Sequence, residues 1–173
     1  MRETTLSRNT PVTFERERGV QAVKVQRNIA HFIVAVGSDE HRTQRILSVF
    51  KALAAQHIPI FLIKLHRTVI TFAVRGEFAA VANEAIRPLT FEVTTRHDLA
   101  LVTVGATQMR DLSGVMAQIA EAIYSAAARL IETGDSHNTV QCLIDSNHLV
   151  DAVEELRNVF HLAAAQIEGI AER

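Results

Sequence analysis

Cysteine is nearly missing: Cys142 is the single one in 173 residues. One thiol cannot close an internal disulfide, and such usage fits a reducing, cytoplasmic setting. An excess of charge is missing too. Lys+Arg 18 against Asp+Glu 19 leaves a formal charge of -1, which excludes a global pull toward nucleic acid or an anionic membrane. No paired aromatic platform of the RNA-binding kind is present. No apolar run is long enough to span a bilayer, and residues 1–10 lack the apolar stretch of a signal peptide. The eight histidines are scattered, with His137 and His148 off helical ligand spacing, so neither a metal nor a cofactor is expected. What remains is 48% hydrophobic and 21% charged, ordinary for a globular chain that buries a real core. Its length suits one domain or two small, closely packed ones.

Along the chain, residues 1–18 are rich in Arg, Thr and Glu without a sustained period and read as a flexible arm. Residues 20–25 form a short strand expected at a sheet edge, and 30–36 a nearly continuous apolar strand ending at Gly37. Ile46, Val49, Phe50 and Leu53 have the spacing of a helix with one buried face. Residues 60–65 and 69–74 make a hairpin. Phe78, Val81, Ala82, Ala85 and Ile86 restore helical spacing until Pro88 ends it, and Phe91 and Val93 alternate in another short strand. Residues 99–104 then begin the order again. Val115, Ile119, Ala122, Ile123 and Ala126 stripe a helix, 129–133 and 139–144 pair around 134–138, and Leu149, Ala152, Val153, Leu156 and Phe160 mark a closing helix. The Ala-rich tail, 163–173, is helix-permissive with little to fix it.

A register test supports a true repeat. Placing Phe61 on Ile131 gives an offset of 70 (131 − 61). The same offset puts Leu53 on Ile123, Ile70 on Val140, Phe72 on Cys142, Val74 on Ile144 and Ile86 on Leu156. Gly37 matches Gly105 at 68 instead, which reads as a second strand–helix turn two residues longer. Each repeat is a βαββαβ unit, a ferredoxin-like sandwich with helices on one face of an antiparallel sheet. The fold class is therefore α+β. Residues 29–97 form the first module, and 98–162 lack a fourth strand that 19–28 supply, so the first module is inserted in the second.

The turn from Met109 to Gly114 opens onto a helix, where free backbone N–H groups would receive a small anion or an amino acid. Gly114 would admit a close backbone approach, or be an ordinary turn residue. A Gly114→Val substitution is expected to remove binding and leave folding intact. Asp111 or Ser113 would cap the helix, while Asp111 could also neutralise an effector's ammonium and the amides of Gly114, Val115 and Met116 receive its carboxylate. Asp135, Ser136 and His137 invite a catalytic-triad reading that fails, because three adjacent residues of a tight hairpin cannot line up nucleophile, base and orienter. Turn chemistry accounts for them, with effector or partner contact the lesser reading. Cys142 belongs to the core.

With that topology in hand, the segment VTVGATQMRDLSGVMAQIAEAI resembles the strand, turn and helix of the tandem ACT domains at the regulatory end of aspartate kinase. IETGDSHNTVQCLI, AVEELRNVFHL, RNIAHFIVAV and HIPIFLIKLHRTVITFAV extend the likeness over about residues 19–162. Gly134-Asp135-Ser136-His137 is more similar to the branch under lysine or diaminopimelate feedback than to the threonine-regulated one. The resemblance implies an amino-acid effector (lysine, diaminopimelate or threonine) at Met109, Arg110, Asp111, Ser113, Gly114, Val115 and Met116, with Asp135, Ser136 and His137 behind them. It also implies a homodimer and a catalytic kinase subunit as partner.

Two departures follow. The family's kinase domain is absent, so the chain is expected to be a regulatory subunit or fragment without catalysis of its own. In the first module, His41-Arg42-Thr43-Gln44 stand where the family has Asp-x-Pro-Gly, His57-Ile58-Pro59 where it has Asn-x-Asp, and Ile63-Lys64 where it has Gln-Asn. That pocket is expected to be altered or lost. In the second, Ser113 replaces proline and Ala127 replaces asparagine. The expected function is allosteric feedback control of aspartate kinase. The alternatives are a free-standing amino-acid sensor for another enzyme or regulator, and a dimerisation module with decayed pockets.

Overall fold

The computed structural model describes residues 19–107, 109 and 112–170; the arm at 1–18 and the candidates Arg110 and Asp111 lie outside them. Eleven main elements follow in order: β1 (Gly19–Ala35), α1 (Arg42–Ala55), β2 (Phe61–Leu65), β3 (Val69–Arg75), α2 (Ala79–Ile86), β4 (Val93–Thr107), α3 (Val115–Ser125), β5 (Leu130–Asp135), β6 (Thr139–Asp145), α4 (Leu149–Val159) and β7 (Ile167–Glu168). The strands join in one sheet in the order β2-β3-β1-β4-β6-β5, and β7 pairs with β1.

Two expected pairs of short strands are two long ones. β1 runs through what reads as strands at 20–25 and 30–36, and β4 through those near Val93 and 99–104. They pair antiparallel from Gly19↔Thr107 to Val34↔Val93. The front half of β1 has β4 along one side and only β7, at Val23 and Lys24, on the other, while β3 reaches no further than Ile29, so it borders the second module's sheet as expected. The hydrophobic alternation breaks in mid-strand because each strand changes parity there. Val23 and Val25 are buried among α3 and α4, but Ala30, Phe32 and Val34 among α1 and α2. A one-residue bulge flips which positions face inward. The bulges fall between Gln26 and Ile29 and between Ile29 and His31, and Asn28 (φ 57) and Asp98 (φ 55) take left-handed backbone beside them.

Around this shared pair the two βαββαβ modules form as expected, with β2, β3, α1 and α2 on one side and β5, β6, α3 and α4 on the other. The front half of β1 stands as the second module's fourth strand. The offset of 70 reaches the backbone itself: Asn28 and Asp98 share the left-handed conformation, as do His57 and Ala127. It also removes the expected two-residue insertion. Ala30, Phe32, Val34 and Val36 face the first helical core, and Ala100, Val102, Val104 and Ala106 the second, each 70 on. Gly37 is a turn glycine at φ 68, whereas Gly105 lies within β4. The two turns differ because β4 runs further and α3 starts later.

The face away from the helices closes on itself. Ile29, Leu62, Ala73, Leu99, Leu101 and Leu143 form a third core there, where the edge strands β2 and β5 meet. A Cβ on Gly134 would lie 2.7 Å from the Leu62 side chain. Among the described residues, the stretch after α4 holds no α-helix. It makes a 3₁₀ turn at Ala164–Gln166, then β7, parallel to β1 at Val23↔Ile167 and Lys24↔Glu168. Gln166 Nε2 donates to the Gln21 carbonyl at 2.7 Å, which fixes it.

Candidate functional site

The end of β4, the start of α3 and the β5–β6 hairpin enclose a cavity of ≈ 310 Å³ lined by Met109, Leu112, Met116, Thr133, Gly134, Asp135, Ser136 and Val140. Backbone bonds set the spacing of its walls: the hairpin carbonyls of Asn138 and His137 accept the N–H groups of Ala106 (2.9 Å) and Met109 (3.1 Å). Met109 is buried and Met116 is 44% exposed, so one thioether forms the floor and the other the rim. Val140 is core. The lining therefore joins flexible apolar chains that mould to a ligand with one carboxylate and a few hydroxyls, the balance typical of small-molecule sites.

Of the ten candidates, Met109, Met116, Asp135 and Ser136 line this cavity. Ser113, Gly114, Val115 and His137 do not. Val115 points into the core, and the His137 side chain is exposed. Gly114 is the N-cap of α3 in left-handed backbone (φ 81, ψ -4) with no side-chain capping bond, so Ser113 does not cap the helix. A Cβ on Gly114 would meet nothing within 4 Å. Its glycine answers a backbone demand, and a Gly114→Val chain carries strain in the fold itself. Ser136 closes its turn: its Oγ shares a 2.8 Å hydrogen bond with Thr139 Oγ1 and accepts the Thr139 N–H at 3.1 Å.

Leu112, Thr133, Gly134 and Val140 were not among the candidates. The alternation of β5 offers a signal, since Thr133 shares a face with Asp135. A second hollow of ≈ 510 Å³ lies between Gly19, Val20 and the stretch from Val159 to Leu162, and none of the eight described candidates borders it.

A buried polar cluster sits on the face away from the helices. Glu132 of β5 accepts from Thr71 Oγ1 of β3 (2.8 Å) and from His31 Nε2 of β1 (3.2 Å). His31 is 3% exposed, and its Nδ1 has no partner. Burial lowers its pKa against the opposing pull of Glu132. Cys142 is fully buried, which pushes its thiol up to about 12; it is inert core. Among the described residues no group of His, Cys, Asp or Glu is arranged to hold a metal ion, and no helix is long and apolar enough to cross a membrane.

Residues 102–160 match the ACT domain family, the stretch that builds the cavity. Aspartokinase 1 of Bacillus subtilis is 22% identical over 147 residues, covering 85% of this chain and 36% of that protein. The chain thus spans about a third of the length of this curated relative. The ligand-free regulatory subunit of aspartate kinase from Thermus thermophilus superposes with a TM-score of 0.74 at 22% identity, over 83% of this chain and 99% of that one. E. coli aspartokinase III, in complex with lysine and aspartate, superposes with a TM-score of 0.70 at 18% identity, over 86% of this chain and 34% of that one.

Proposed function

We propose that this chain, an ACT domain at 102–160 within the tandem fold of aspartate kinase regulatory regions, is itself a regulatory, amino-acid-sensing part of an aspartate kinase. One observation carries the proposal. The cavity between the strand–helix turn and the hairpin falls inside the matched segment and pairs an apolar lining with the Asp135 carboxylate. An amino acid with a methylene stem and a terminal ammonium suits it, the stem lying along Met109, Leu112 and Met116 and the ammonium meeting Asp135. Lysine or diaminopimelate is accordingly the proposed effector, and threonine the alternative. The lysine held by the E. coli neighbour agrees with that chemistry.

The effector-contacting set is Met109, Met116, Asp135 and Ser136, joined by Leu112 and Thr133; Arg110 and Asp111 belong to the same turn in sequence. The modules divide at 29–97 against 19–28 plus 98–162. The partners are a second copy of the chain and a catalytic aspartate kinase portion, in the cytoplasm. An effector acts there by binding one arrangement of the assembly more tightly than another, since coupling equals differential affinity. The chain itself supplies no catalytic step.

Titration calorimetry with lysine, meso-diaminopimelate, threonine and methionine tests this, with sedimentation of the same samples reporting association. Heat with lysine or diaminopimelate, weakened at least tenfold in Asp135→Asn (roughly the 1.4 kcal/mol of one charge-assisted bond), is expected. Heat with threonine or methionine alone moves the effector to an uncharged side chain. No heat with any of the four sinks the sensing function and leaves a dimerisation module with decayed pockets.

A further inference from the structure

The three pieces that line this cavity recur in the first module, where arginine side chains bridge them. At the offset of 70, Arg42 corresponds to Leu112 (112 − 42), His66 to Ser136 and Arg67 to His137. Where Leu112 lines an open hollow, Arg42 reaches from the start of α1 to the hairpin. Its Nη2 donates to the His66 carbonyl at 2.6 Å and its Nε to the Arg67 carbonyl at 3.1 Å. One turn further along, Arg45 Nη1 donates to the Val36 carbonyl and to Asp39 Oδ2, both at 3.0 Å. Gly37 makes room for it, since a Cβ there would lie 2.7 Å from Arg45 Nη1. Strand end, helix start and hairpin, the three pieces that surround the second cavity, are here held together by the chain's own guanidinium groups. The acceptors of Arg42 are two successive carbonyls, which suit a planar, forked donor better than a point charge.

We propose that the Arg42 side chain is a tethered occupant of the first cleft. It clamps the hairpin turn to α1 as a bound cation does, and once cut back it leaves a site for a free alkylguanidinium. The further consequence, that each chain offers one effector site instead of two, rests on the effector reading of the second cavity; the occupancy of the first does not.

Amide exchange in the full chain tests it. The N–H groups of Val36 and Gly37 donate to the Thr68 carbonyl and that of His66 to Val69, so they report the grip of the hairpin. In Arg42→Ala these amides exchange roughly five- to tenfold faster, the scale of losing exposed charge-assisted hydrogen bonds. Ethylguanidinium chloride at sub-denaturing concentration restores protection in that variant, and tetramethylammonium chloride does not. Arg42→Lys keeps the charge without the fork and falls between. Unchanged exchange in Arg42→Ala overturns the proposal, as does a recovery that ethylguanidinium produces no better than tetramethylammonium. Because the readout is hairpin protection, it stands or falls apart from any amino-acid titration of the second cavity.

Discussion

His31 is held neutral by its surroundings. Glu132 is an acceptor, so Nε2 carries the proton between them and Nδ1 is left as a bare acceptor. Protonating Nδ1 would place an N–H where nothing receives it. Glu132 alone favours the charged ring, while burial, Arg96 and His66 oppose it, and burial dominates. The sign of the linkage follows. The folded-state pKa lies below the reference of 6.5, so between the two values the unfolded chain binds more protons and stability rises with pH. The His31 contribution is complete above pH 6.5 and is lost as pH falls through that value toward the folded pKa. In His31→Gln, whose amide keeps a donor for Glu132 and does not titrate, urea-unfolding stability should fall less between pH 7.5 and 5.5 than in the parent. Parallel losses would show that His31 does not titrate between the two states. The cluster was invisible in the sequence for a geometric reason. Its members are 101 and 61 residues apart and meet only because the sheet curls β5 over β1 and β3.

At the level of the element, α3 begins where Gly114 turns left-handed. Alanine there costs about 1 kcal/mol of backbone strain and valine more, while Ser113→Ala, which removes no capping bond, leaves stability within about 0.5 kcal/mol. Chemical denaturation of the three variants checks the order; equal stability of Gly114→Ala and parent would mean the turn relaxes into another shape. Helices α1 to α4 and both hairpins were legible because each carries an apolar stripe or alternation of its own, which Pro88 ends after α2. The long strands were not, since the parity change near Asn28 and Asp98 looks the same in sequence as the end of one strand and the start of another. Matching Gly37 to Gly105 by residue type suggests an insertion at the second turn that the structure does not hold. Their roles differ, and the buried positions of strand and helix keep one offset. The candidate site was legible as far as the strand–helix turn. Its hairpin wall was blurred because Thr133 and Val140 carry only β-rich side chains, whose ordinary duty is core.

Those two long strands also decide how the whole molecule comes apart. β1 gives its front half to the second module and its back half to the first, and β4 does the reverse. Neither module can open without tearing the strand that its neighbour needs. The third core joins Leu62 and Ala73 of the first to Leu101 and Leu143 of the second, so a split would expose apolar surface on both sides as well. Two domains joined by a linker would unfold in separate steps, but shared strands couple them into one transition. The single cysteine permits a direct test. Cys142 is fully buried in the second helical core and, with its thiol pushed up to about 12, reacts with a thiol reagent only when that core opens. Amide exchange across Val69–Arg75, strand β3, reports the first module independently. Along a urea series, cysteine labelling and β3 exchange should give the same midpoint and the same free energy of opening. Separate midpoints would mean that β1 and β4 part at Asn28 and Asp98, and that each module holds its half of the pair alone.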